Sequence, residues 1–193
     1  MKKLSVVAVA AAIAFGATLP VAAQTSTVVT KAPGAVTTVQ RIKAVATVVA
    51  IDSATRAVTL KGPDGRETTV IAGPEVKNFA QIKVSDRVNV EYTEALTLEL
   101  KKGSTEPRAR AESSMAEAAK AGERPGAVAG RKVTVTAEVI GLNAATQTVT
   151  LRGPKQTVDL KVADPEQFKR VAMGDRVEAT YVEAVAVVVT PAR

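Results

Sequence analysis

The chain contains no histidine, no cysteine and no tryptophan in its 193 residues. Without histidine or cysteine, Ser-His-Asp and Cys-His nucleophile arrangements and histidine general bases are excluded. Zinc and copper lose their imidazole and thiolate ligands, which leaves Met115 and Met173 as the only soft donors beyond the first residues. Disulfides are impossible, so stability rests on burial alone. D-x-D-x-D calcium loops and phosphate-cradling glycine loops are also missing. Any two of the nineteen carboxylates could approach in space, but none sits in a recognisable catalytic context. The expectation is a protein with no cofactor, no metal and no enzymatic activity.

What is present begins with an address. MKKLSVVAVAAAIAFGATLPVAAQ places two lysines before an apolar run, and Val21-Ala22-Ala23 supplies the small residues a signal peptidase requires. The run is shorter than the roughly 20 apolar residues of a membrane span, and no later segment is long enough to cross a bilayer. Residues 1–23 therefore read as a signal peptide cleaved after Ala23, and the mature chain as a soluble periplasmic protein. Its formal charge of +7 is unevenly spread. Lys2 and Lys3 leave with the leader. Residues 24–43 carry Lys31, Arg41 and Lys43 without an acid, and residues 101–132 hold eight basic against four acidic side chains. The remaining stretches are balanced or slightly acidic, so the excess lies in flanking segments.

Two stretches say nearly the same thing. SDRVNVEYTEA (85–95) matches GDRVEATYVEA (174–184) at an offset of 89, and AVATVVAIDSATRAVTLKGP (44–63) matches VTAEVIGLNAATQTVTLRGP (135–154) at an offset of 91. PGAV recurs ahead of each, at Pro33 and Pro125. This is an internal duplication. Each copy alternates apolar and polar residues at period two, the signature of strands. DSATR and NAATQ break the first two strands, and Gly-Pro turns lead into a third. A non-periodic stretch with one phenylalanine (74–82, 165–171) predicts a helical turn. A fourth strand, RVNVEY or RVEATY, and a fifth, EALTLEL or EAVAVVV, complete the unit. Leu96, Leu98 and Leu100 are expected inside the first unit, and Val185, Val187 and Val189 inside the second.

Three strands, a helical turn and two strands is the order of an OB-fold; an SH3-like barrel has a similar strand count. The predicted fold is all-β: a tandem duplication of a small five-stranded OB-like barrel, with a short Ala-rich helix in the linker. The expected units are an N-terminal segment (24–43), barrel 1 (44–102), a charged linker (103–132) and barrel 2 (133–193). In the linker, Thr105 is a candidate N-cap, Gly122 a stop, and Ala111, Met115, Ala118 and Ala119 lie at helical spacing. That segment is either a helix against a barrel or a half-ordered connection.

Asp86, Arg87 and Glu94, with counterparts Asp175, Arg176 and Glu183, form a candidate site repeated in each unit. The structural alternative is a turn cap with a surface ion pair worth about 1 kcal/mol. Ser85, standing where the second copy has Gly174, argues against an essential glycine of positive φ at that point. Ala184, Ala186 and Val188 make one strand apolar on both faces, so a helix, the other barrel or a second molecule is expected to cover it. Specific nucleic-acid binding is not expected. The four aromatics beyond the leader, Phe79, Tyr92, Phe168 and Tyr181, occupy repeat-equivalent core positions rather than an exposed stacking platform.

The frame V-x-x-I-D-x-x-T-x-x-V-T-L-x-G-P-x-G followed by N-F-x-x-I-K-V-x-D-x-V-x-V-x-Y-x-E-A resembles a group of exported proteobacterial proteins of unknown function built from small OB-like domains. More distantly it is similar to periplasmic copper-chaperone barrels. That family binds metal through histidine, methionine and tryptophan, and this chain lacks two of the three, so the metal site is not carried over. The resemblance implies an envelope location and a small-barrel fold. The expected function is contact with an envelope protein or self-association; the alternative is binding of an anionic glycan or other envelope polymer through the basic flanking segments.

Overall fold

The computed structural model describes residues 24–192 apart from Glu75 and Ala121. The expected signal peptide, residues 1–23, lies outside the described residues. Ten strands dominate: β1 Gln24–Ala32, β2 Ala35–Asp52, β3 Ala57–Lys61, β4 Glu67–Ile71, β5 Arg87–Lys101, β6 Ala109–Ala118, β7 Gly126–Asn143, β8 Thr148–Arg152, β9 Thr157–Lys161 and β10 Arg176–Thr190. A 3-10 turn, Phe79–Gln81, precedes β5, and a four-residue helix α1, Pro165–Phe168, precedes β10.

The strands form one sheet in the order β4-β3-β2-β5-β10-β7-β8-β9, with β1 beside β2 and β6 beside β7. All pairings are antiparallel. The all-β expectation holds, but the sheet is open: among the described residues no strand pairing closes either half into a barrel of its own.

The departure starts at Thr93-Glu94 and Val182-Glu183. These dipeptides were expected to join a fourth and a fifth strand. They contain no glycine, proline or asparagine to reverse the chain, and the backbone runs straight through as β5 and β10, fifteen residues each. The two strands pair along their whole length, from Arg176 opposite Lys101 to Thr190 opposite Arg87. Glu94 faces Glu183 at the midpoint, so the two halves meet about a local two-fold axis.

Running straight carries each strand end into the other half. Core 1 gathers Ala46, Val48, Val58, Leu60, Phe79 and Val88, and it is completed by Val187 and Val189 of β10. Core 2 gathers Ala137, Val139, Val149, Leu151 and Val177, with Leu100 of β5 packed against it. The interior placement of Leu100, Val187 and Val189 was foreseen, but in the wrong half; Leu96 is exposed near the two-fold axis. The halves exchange strands.

The flanking segments are also strands. Residues 24–43 form the β1–β2 hairpin, turned by Pro33-Gly34 with Gly34 at φ +76°, the residue order of a type II turn. The expected Ala-rich helix does not exist. Residues 109–118 are β6, paired with β7 from Ala109 opposite Thr136 to Ala118 opposite Ala127. Alanine favours helix only weakly, and an available strand edge overrides that preference. Gly122, expected to end a helix, instead occupies the turn after β6 at φ +87°.

Hairpin tips reach across as well. Gly34 donates its N–H to Gln167 Oε1 at 2.9 Å, Gln167 Nε2 donates to Ala32 O at 2.8 Å, and Lys31 pairs with Asp164 at 3.1 Å. At the other end Asn78, the counterpart of Gln167, donates to Lys120 O and Glu123 O at 2.7 and 2.9 Å.

Candidate functional site

The turn residues of the expected site are structural. Asp86 and Asp175 are buried, and each caps its own turn: Asp86 Oδ2 accepts from Lys83 N–H and Asp175 Oδ2 from Ala172 N–H, both at 2.9 Å. Arg87 is exposed at a strand start. Arg176 donates to Glu106 O and Gly174 O and lies 3.6 Å from Glu138. Ser85 and Gly174 both sit in the left-handed region, at φ +78° and +84°. Serine tolerates that conformation at a cost glycine avoids, so the backbone is left-handed in both copies although only one of them places glycine there.

Glu94 and Glu183 are 8 residues past Asp86 and Asp175 and belong to a different place. Directly opposed residues of an antiparallel pair point to the same face, so both carboxylates project from the sheet's inner face at the two-fold axis. Tyr92 and Tyr181, two residues before each glutamate, share that face. On the flanking strands Glu183 is opposite Arg131, whereas Glu94 is opposite Gln40. The site is therefore symmetric in backbone and asymmetric in charge.

Glu183 is 2% exposed. Its Oε1 accepts from the Tyr92 hydroxyl at 3.1 Å, and its Oε2 accepts from Arg131 Nε at 2.9 Å. The Arg131 guanidinium lies 5.9 Å from the Tyr181 ring centroid, within cation–π range. The pairing with Glu183 holds Arg131 above its usual range. Burial first, then the charges around it, pushes the Tyr92 phenol well above its ordinary value, and burial followed by the charges of Glu94 and Glu183 raises Tyr181. The Tyr181 hydroxyl is buried without a hydrogen-bond partner among the described residues. Chemically the cluster is a buried carboxylate held between a phenol and a guanidinium.

The remaining candidates lie on the opposite, outer face. Ala184, Ala186 and Val188 project there, beside Gly130, Val128 and Gly126 of β7. Both glycines are obligatory: a Cβ at Gly126 would meet Val187 O at 2.7 Å, and one at Gly130 would meet Glu183 O at 2.8 Å. β10 packs edge to edge with β5 and β7, and the helix expected to cover it is instead β6, in the same sheet. Val188 is 42% exposed and Met115, on β6 beside Gly130, is 55% exposed. The result is a low-relief apolar strip between Met115 and the polar row Asn89, Glu91 and Thr93.

Arg56 escaped the sequence reading. It donates from Nε to Ala72 O and from Nη2 to Gly73 O and Val76 O at 2.8 to 2.9 Å, and it lies 4.5 Å from the Phe79 ring centroid. Its counterpart Gln147 shares the left-handed backbone, φ +51° against +58°, but lacks the guanidinium. The only available signal was that difference between the copies.

Comparison with protein-family models, curated proteins and solved structures finds no match to this chain.

Proposed function

We propose that this is a non-enzymatic periplasmic protein, exported with loss of residues 1–23, that works by holding another envelope protein against the outer face of its sheet. The observation that carries the reading is the strip of Ala184, Ala186, Val188, Val128 and the two glycines, which leaves apolar surface open along a central strand. Sheet strands apolar on both faces are normally covered on both, and exposed apolar strips rimmed by polar residues mark contact sites. A pocket of about 90 Å³ at core 2, lined by Leu98, Val149, Leu160 and Val162, is well below the roughly 300–1,000 Å³ of small-molecule sites. No helix among the described residues is long and apolar enough to cross a membrane.

Binding of an anionic polymer is less favoured because six of the eleven basic side chains in the flanks already have carboxylate partners. Lys31 pairs with Asp164, and Arg41 and Lys43 both pair with Glu91. In residues 101–132, Lys101, Arg110 and Arg131 also have carboxylate partners. A photo-crosslinking residue at position 188 tests the proposal in periplasm. A discrete protein adduct is expected there and not from the exposed control position Val158 on β9. Adducts equal at both positions, or none at 188, would sink it.

A further inference from the structure

We propose that two copies of this chain pair through β1, antiparallel and edge to edge, so that two ten-stranded sheets become one. All nine residues of β1 are exposed, and among the described residues no strand pairs with its edge away from β2. Such an edge is a template for another strand unless charge, proline or a bulge blunts it. The matching edge in the other half, β6, is blunted: it carries Arg110, Glu112 and Glu117. β1 is not. From Gln24 to Thr30 no side chain is charged, and its single charged side chain, that of Lys31, is already paired with Asp164.

The strand is also complementary to itself, which selects a second copy as the occupant. Full-length antiparallel pairing of Gln24–Ala32 with its symmetry mate puts the two-fold axis through Val28. Val28 then meets Val28 of the second copy, Ser26 meets Thr30, Thr27 meets Val29, and Lys31 meets Thr25 rather than another lysine. β-Branched and hydroxyl cross-strand pairs of this kind are favourable, and no like charges face each other. Val28 and Val29, 57% and 55% exposed on opposite faces of the strand, would both gain cover. A symmetric antiparallel strand pair is moreover the joint that β5 and β10 already make within the chain, and closed two-fold interfaces are the commonest in homo-oligomers. The inference is independent of the outer-face reading, because the edge and the strip do not overlap.

Sedimentation of the purified chain over a concentration series tests this. The wild type should reach twice the chain mass, and Val28→Lys should lose the dimer while keeping its far-UV β-sheet spectrum, since the site is exposed in the single chain. Val28→Lys mixed with Val28→Asp should restore a dimer, because opposite charges then face each other at the axis. Met115→Lys on β6 and Val188→Glu on the outer face should both remain dimeric. A wild type monomeric throughout, a dimer surviving Val28→Lys, dissociation by Met115→Lys or Val188→Glu, or no rescue in the mixture would each overturn the proposal.

Discussion

Glu183 is the largest fully buried side chain among the described residues. A buried carboxylate is tolerated only when its oxygens are satisfied, and each of its two oxygens has one donor, Tyr92 or Arg131. Removing one donor strips a charged acceptor of half its support. Tyr92→Phe should therefore destabilise the protein by about 1–3 kcal/mol near neutral pH, measured by urea unfolding. The pH dependence has a definite sign. Tyr92 and Tyr181 titrate higher folded than unfolded, so the folded state holds its phenolic protons longer. That contribution is fully present below the ordinary phenol value of about 10 and is lost as pH rises above it. The gap between wild type and Tyr92→Phe should narrow in that alkaline range, because the variant has one such phenol fewer. A constant gap would mean that the Tyr92 phenol does not titrate differently on folding. The pairing itself could not be read from sequence, since Arg131 and Glu183 are 52 residues apart and no local pattern links them.

At the scale of the element, the two copies report on each other. Both carry the register shift in the first long strand, between Val48 and Ala50 and between Val139 and Gly141. Both carry a left-handed residue before β5 or β10, and only the first copy places a side chain there. Ser85→Gly should stabilise by about 0.5–1 kcal/mol, the relief of left-handed strain less the entropy that glycine adds to the unfolded chain. A fall in melting temperature would show that the serine is held by something other than its backbone. Most strands were legible because period-two alternation depends on local residues alone. Where the reading failed, the deciding term was tertiary. β6 is rich in helix-forming alanine, yet the β7 edge was there to pair with it. RVNVEYTEALTLELK could be two strands or one, and its alternation is the same either way.

The whole molecule behaves as an exchanged pair fused into one chain. Core 1 needs Val187 and Val189 from the last strand, and core 2 needs Leu100 from the fifth. The halves should therefore melt together: calorimetry should show one transition whose calorimetric and van't Hoff enthalpies agree. Trypsin should nick at Lys102 or Arg108, in the connection between β5 and β6, and the two fragments should still co-elute without denaturant. Two separate transitions, or fragments that part on gel filtration, would show that the exchange contributes little. The duplication was plain in the sequence and predicted two like units. The exchange was not, because the pattern that buries Leu100 is satisfied equally by either core.

The exchange also sets an order of events in time. As the chain emerges from its N-terminus, β2, β3, β4 and the first half of β5 arrive early, yet the residues that close their core, Val187 and Val189, lie on β10. Contacts so distant in sequence form slowly, and here they are not even available until β10 has been made. The N-terminal half therefore has no finished core to fold into until that strand is delivered.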